Sequence, residues 1–264
     1  MLKFFGINEN PFSVSPSPRF FFLSAHHQAI MAKVDYVLDY RQGMTVIYGD
    51  VGTGKTSLAR TLIDRLSDNY EVVFLTNPNF NSEMHMVKTV CAEFGIEPKR
   101  SLYAQTEALQ SYLLDAFAEN RFPVLILDEA QLLKKRTLEM LRQFSNFETN
   151  EQKLIQVILV GQSELKNKLK KHRALMSRII MASTLDSLSL EDMIEMIHFR
   201  LVDVAKGSME MFEPDAIDKI YFYSKGIPRA TIKLCSAAMK MAFINQQKTI
   251  NSVIVDMAEQ TKEG

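Results

Sequence analysis

Residues 49 to 56 read Gly49-Asp50-Val51-Gly52-Thr53-Gly54-Lys55-Thr56 and run on into Ser57, completing a G-x-x-x-x-G-K-[ST] pattern. Residues of these types, so spaced, suit the wrapping of a polyphosphate. The glycines let the main chain close around an anion, and consecutive backbone N–H groups then face it. Lys55 is spaced to reach the β- and γ-phosphates of a nucleotide, and the Thr56 hydroxyl to sit on Mg²⁺. A second chemical signal is Asp128-Glu129, at the end of the apolar run Phe122-Pro-Val-Leu-Ile-Leu127. Asp128 suits holding Mg²⁺ through water, and Glu129 suits directing a water onto the γ-phosphate. An Asp-Glu pair also suits the N-cap of a following helix, but its pairing with the glycine loop favours the metal-and-water reading. Together the two signals imply binding and hydrolysis of ATP.

Both signals need particular elements to position them. Met44-Thr-Val-Ile-Tyr48 reads as a buried strand, and Leu58, Leu62, Ile63 and Leu66 recur at helical spacing, so the loop joins a strand to a helix. The run 122–127 suits a strand buried on both faces of a parallel sheet, with its carboxylates at the edge where ligands bind. Further strands are expected at Tyr70–Leu75, Ile155–Val160 and Ile179–Ser183, and helices near Ser82–Phe94, Thr106–Asn120 and Lys135–Phe147. Beyond Ser189 no strand pattern remains. Four helices are expected there, at Leu190–Ala205, Pro214–Ser224, Arg229–Asn245 and Ser252–Lys262. The fold class is therefore α/β: a P-loop NTPase domain on a parallel five-stranded sheet, with a small C-terminal helical lid. The expected divisions are an N-terminal segment at 1–43, the nucleotide-binding domain at 44–188 and the lid at 189–264.

Composition excludes several classes. The chain has 264 residues, 47% hydrophobic and 23% charged, ordinary for a globular protein with a sizeable core. No apolar run approaches the ~18 residues of a membrane helix, and the N-terminus lacks a signal-peptide pattern, so a cytoplasmic location is expected. Cys91 and Cys235 stand far apart and read as buried free thiols, and the five histidines show no ligand spacing. Basic and acidic residues balance at 31 each, so the chain as a whole does not announce a polyanion partner. Two local clusters, Lys134-Lys135-Arg136 and Lys166, Lys168, Lys170 and Lys171, read either as solvated faces or as a DNA-facing surface.

With these residues in place, the chain resembles the AAA+ ATPases. More narrowly it resembles the ExeA group (general secretion pathway protein A and the related MshM) and the nearby TniB and TnsC transposition ATPases. The resemblance rests on Phe5-Gly-Ile-Asn-Glu-Asn-Pro-Phe12, Pro18-Arg-Phe-Phe-Phe-Leu-Ser24 with His27 and Ala29, Leu127-Asp-Glu-Ala-Gln131, Leu159-Val-Gly-Gln162 and Gly226-Ile-Pro-Arg229. Ser17 and Ser163 depart from the Asp and Pro common in ExeA-like chains. The resemblance implies that Gln162 senses the γ-phosphate, that Arg229 is a lid arginine, and that Arg178 is an arginine finger serving a neighbouring subunit, with Arg173 competing for that role. It also implies that Phe12 to Phe21 packs near adenine and that the chain forms a homo-oligomer, a ring or a helical filament. Two functions follow. One is a regulatory switch on duplex DNA that engages a transposase or adaptor; the other is an ATPase of secretion or pilus assembly machinery. The basic clusters, and the lack of the membrane span that follows the ATPase domain in ExeA, favour the DNA reading at this point.

Overall fold

The computed structural model describes residues 1–13 and 18–261; Ser17 and Lys262 lie outside them. In chain order the elements are α1 (Leu2–Phe5), α2 (Ala25–Asp39), β1 (Met44–Gly49), α3 (Lys55–Arg65), β2 (Tyr70–Leu75), α4 (Glu83–Glu93) and α5 (Leu102–Ala118). They continue with β3 (Phe122–Leu127), α6 (Lys135–Phe144), β4 (Gln156–Gly161), α7 (Ser163–Lys170), α8 (Arg173–Met176) and β5 (Ile179–Leu185). The last are α9 (Leu190–His198), α10 (Pro214–Ser224), α11 (Pro228–Ile244) and α12 (Ser252–Gln260).

The five strands form one parallel sheet in the order β2-β3-β4-β1-β5. Alternate residues explain its burial. Val46, Leu125, Leu127, Val157 and Leu159 join a core with Met86, Val90, Leu109, Leu113, Leu138 and Leu141 of the flanking helices. Ile47, Ile126, Ile158 and Val160, which alternate with them, are buried as well. A sheet covered on both faces needs continuous apolar strands, which is how these segments read. β2, at one edge, keeps only Val73 fully buried.

Two compact units emerge. One comprises residues 27–50 and 58–185, which includes the sheet; the other comprises 1–26, 51–57 and 186–264. Residues 1–13 and 18–26 thus group with the C-terminal helices. In that second unit Ile7 and Phe12 lie in one core with Met193, Ile197, Leu201, Ile220, Leu234 and Ile254. α11 begins with Pro228 at its first turn, where the missing N–H is no loss.

Several elements differ from the sequence-based expectation. α5 starts four residues earlier than Thr106, because the Ser101 side chain accepts a hydrogen bond from the Ala104 N–H and caps the helix there. α2, α7 and α8 were not assigned as helices from sequence. The helix expected over 190–205 turns π-helical at Phe199–Val204.

Candidate functional site

Four of the expected polar residues lie on one edge of the sheet. Because the strands are parallel and in register, β1 ends at Gly49-Asp50, β4 at Gly161-Gln162 and β3 at Leu127-Asp128 on the same side. β4 lies between the other two, so Gln162 stands between Asp50 and Asp128 on that edge. Ser163 donates its hydroxyl to Asp50 Oδ1 at 2.6 Å. Asp128 is 2% exposed, and its Oδ1 accepts the Glu129 N–H at 2.8 Å.

Glu129 has left-handed backbone, φ 52° and ψ 36°. A non-glycine residue rarely adopts it, and such outliers cluster at working sites. Its carboxylate oxygen Oε2 accepts the Gln162 side-chain N–H at 3.2 Å and also the Gln131 Nε2. The structure therefore brings Glu129 and Gln162 together and adds Gln131, which stands in the Leu127–Gln131 motif but has no expected task from sequence. Lys168 donates its ammonium to the backbone carbonyls of Gln131 and of Leu133, the latter at 2.8 Å. Lys168 is thus engaged with the protein's own main chain and is not a member of an outward basic face. Lys134, Lys135, Arg136, Lys166, Lys170 and Lys171 are exposed.

Arg178 lies elsewhere. It precedes β5, whose first residue Ile179 pairs with Met44 at the start of β1. That is the edge opposite to Asp50 and Asp128, and Arg173, exposed at the start of α8, lies on the same approach to β5.

The phosphate-loop residues 51–57 belong to the other unit. Gly52 and Gly54 have φ of 86° and 100°, conformations that glycine adopts without strain. Thr53 and Lys55 are 2% and 7% exposed, unusual burial for a lysine. The Arg229 N–H donates to the Gly52 carbonyl at 3.2 Å, and a Cβ on Gly52 would stand 3.0 Å from Arg229 Cβ. The start of α11 is thereby seated directly on the phosphate loop, with the Arg229 side chain left exposed.

Arg200 is a further residue that the sequence reading missed. It is buried at 6% exposure, and its guanidinium donates to the carbonyls of Pro11 at 2.7 Å, Phe20 at 2.7 Å and Ser13 at 3.0 Å. It also lies 5.0 Å from the Phe20 ring centroid. Burial pushes its pKa down to about 10, so it stays charged at neutral pH. One sequence signal was available: Arg200 is three residues after Ile197 and seven after Met193, on the apolar stripe of α9 continued. A cation on a buried stripe implies acceptors waiting for it.

The residues present fit a nucleotide with Mg²⁺. Glycines at positive φ in the loop and a buried lysine at the start of a helix suit phosphates, and a buried carboxylate on the sheet edge suits a hard cation. No group of three or more His, Cys, Asp or Glu side chains that could hold a metal ion occurs among the described residues.

The model of the AAA domain matches residues 38–169, half of the chain. The chain belongs to the AAA domain family. It is a P-loop ATPase, and its sheet is the α/β core of that class. This ATPase is 35% identical over 245 residues to general secretion pathway protein A of Aeromonas hydrophila, covering 91% of this chain and 44% of that protein. It thus spans less than half the length of its curated relative. Among solved structures, Aeropyrum pernix ORC1 in complex with DNA superposes with a TM-score of 0.69 at 16% identity, covering 97% of this chain and 70% of that one. The Thermotoga maritima RuvB Holliday junction branch migration motor gives 0.58 at 20% identity, covering 92% and 73%. At those identities the two structures speak for the fold alone. The sequence similarity supports the ExeA-like grouping and lends the TniB and TnsC resemblance no support.

Proposed function

We propose that this chain is the ATP-driven switch of a secretion or surface-assembly machine, of the kind to which general secretion pathway protein A belongs by name. The observation that carries the reading is the 35% identity extending over 91% of the chain. The alternative, a transposition regulator on duplex DNA, is the weaker reading. Net charge is zero, Lys168 of the basic cluster is engaged internally, and the DNA-bound structural relative shares only 16% of its residues.

In the proposed mechanism the amides of residues 51–57 and the Lys55 ammonium would bind the phosphates, while Thr56 and Asp128 would hold Mg²⁺. The cation, when bound, neutralises charge developing on the phosphate oxygens. Glu129 accepts a proton from the water that attacks the γ-phosphorus, as the bond to the ADP oxygen breaks and phosphate leaves. Gln162 and Arg229 sense the γ-phosphate from the sheet edge and from the start of α11. Arg178 serves the nucleotide of a neighbouring copy, so binding of ATP favours assembly into a ring or filament and hydrolysis loosens it. Among the described residues no helix is long and apolar enough to cross a membrane.

The test compares wild type with Lys55→Ala and Glu129→Gln. Lys55→Ala is expected to abolish nucleotide binding, and Glu129→Gln to keep binding, slow turnover by at least about 100-fold and accumulate the assembled state in sedimentation. Anisotropy of a labelled DNA duplex, with and without a slowly hydrolysed ATP analogue, decides between partners. Nucleotide-dependent binding lost in Lys55→Ala would overturn the secretion reading in favour of the DNA switch.

A further inference from the structure

Gln131 makes two hydrogen bonds through one amide group, and its orientation is determined by its partners. Its Oε1 accepts the backbone N–H of Gln162 at 3.0 Å, while its Nε2 donates to Glu129 Oε2. A backbone N–H can only donate and a carboxylate can only accept, so the amide cannot be flipped. Gln162 then closes the triangle by donating its own side-chain N–H to the same Glu129 oxygen at 3.2 Å. Glu129 Oε1 takes no hydrogen bond from the described residues, which leaves it as the oxygen available to water.

The rest of the local structure holds Gln131 in place. Lys168 donates to its carbonyl and to that of Leu133, fastening the segment after β3 to α7. Gly161 leaves the room: a Cβ there would stand 3.0 Å from Gln131 Oε1, 3.3 Å from Gln131 N and 2.8 Å from Leu165 Cδ2. Glycine at 161 thus leaves room at the end of β4 for both the Leu165 side chain and the Gln131 amide. The φ of Gly161 is not positive, so backbone conformation gives no other reason for it.

We propose that Gln131 is a positioning residue for hydrolysis, a two-ended strap that ties the Glu129 carboxylate to the end of β4 so that Glu129 and Gln162 approach the γ-phosphate as one rigid pair. The proposal rests on the reading of Glu129 as the residue that directs water. With Oε2 held by two amide donors, the carboxylate has one remaining orientation and presents Oε1. Loss of the strap frees the Glu129 side chain to rotate, and turnover falls while nucleotide affinity does not.

The experiment measures steady-state ATPase kinetics and binding of a fluorescent ATP analogue for Gln131→Met, Gln131→Glu and Glu129→Gln. Methionine is of similar length and makes neither bond. Gln131→Met is expected to lower kcat about tenfold with KM within about twofold of wild type, the size of one charge-assisted hydrogen bond. Gln131→Glu keeps the acceptor for the Gln162 N–H but removes the donor to Glu129 and places a second negative charge beside it. A residue that merely braced the loop would be rescued by that variant; a positioning residue is not, so kcat is expected to fall at least as far as in Gln131→Met. In the Glu129→Gln background, Gln131→Met is expected to cost nothing further, since there is no carboxylate left to position. Wild-type kcat in Gln131→Glu would overturn the proposal while leaving the Glu129 reading intact, provided that Glu129→Gln is itself inactive. Full turnover in Glu129→Gln would overturn both.

Discussion

Replacing Arg200 with methionine tests how the N-terminal segment is held. The side chain makes three hydrogen bonds to carbonyls, two of which belong to the buried residues Pro11 and Phe20. Bonds to a charged donor contribute about 1.5–3 kcal/mol each, and a buried acceptor left without a partner costs ~1–3 kcal/mol. Ser13 is part-exposed and can turn to water, so the two buried carbonyls dominate, and Arg200→Met is expected to destabilise its unit by about 3 kcal/mol. Methionine retains much of the apolar volume, so a cavity adds little. The chain has no Trp, so urea unfolding is followed by circular dichroism, and amide exchange at residues 12–13 and 19–21 reports local release. Because burial lowers the Arg200 pKa to about 10, the unfolded chain binds this proton more tightly than the folded one. Its contribution is therefore flat around neutrality, and stability rises with pH only above about 10. A loss below about 1 kcal/mol with unchanged exchange at 12–13 would refute the argument that Arg200 is the fastening.

Two other outcomes follow from the geometry. Gly52→Ala forces a side chain into a φ of 86° with its Cβ 3.0 Å from Arg229 Cβ and 3.2 Å from Ile227 Cγ2. It is expected to cost about 1–2 kcal/mol in folding and more than about tenfold in ATP affinity by titration, because the start of α11 must shift off the loop. Arg178→Ala is expected to bind ATP normally and to turn over poorly. Mixing it with Lys55→Ala should restore part of the ATPase rate, since each variant supplies what the other lacks; mixtures no faster than their components would refute action between copies.

What was legible in the sequence was whatever rests on adjacent residues. The phosphate loop is eight consecutive positions between a strand and a helix, and Asp128-Glu129 ends an apolar run, so both could be found without knowing what packs where. The strands were legible for the same reason: a strand buried on two faces must be apolar throughout, and Val124 to Leu127 and Val157 to Val160 are. α7 was not, because its lysines carry the eye as a charge cluster, while only Leu165 and Leu169, one turn apart, are buried. The partners of Gln131 and Arg200 lay beyond reach for a deeper reason, although the apolar stripe of α9 marks Arg200 itself as buried. Their meaning comes from partners 31 residues away for Gln131 and 180 or more away for Arg200. Nothing in local periodicity encodes a pairing at that distance.

The position of Arg178 bears on assembly independently of any relative. β5 runs seven residues from Ile179 to Leu185, parallel to β1, and its far end pairs with Gly49. At about 3.3 Å per residue the start of β5 is roughly 20 Å from the edge that carries Asp50, Asp128 and Gln162. No arginine side chain spans that distance, so Arg178 cannot serve the edge of its own subunit by a change of rotamer. A bending of the sheet large enough to bring it round would break the core that includes Val46, Leu127 and Leu159. If Arg178 touches a phosphate at all, the phosphate belongs to another copy, and an isolated subunit is an incomplete catalyst. ATPase rate per subunit should then rise with protein concentration until assembly saturates. A rate proportional to concentration from the most dilute sample upward would mean that Arg178 has no part in the chemistry and that Glu129 with its two glutamines suffices alone.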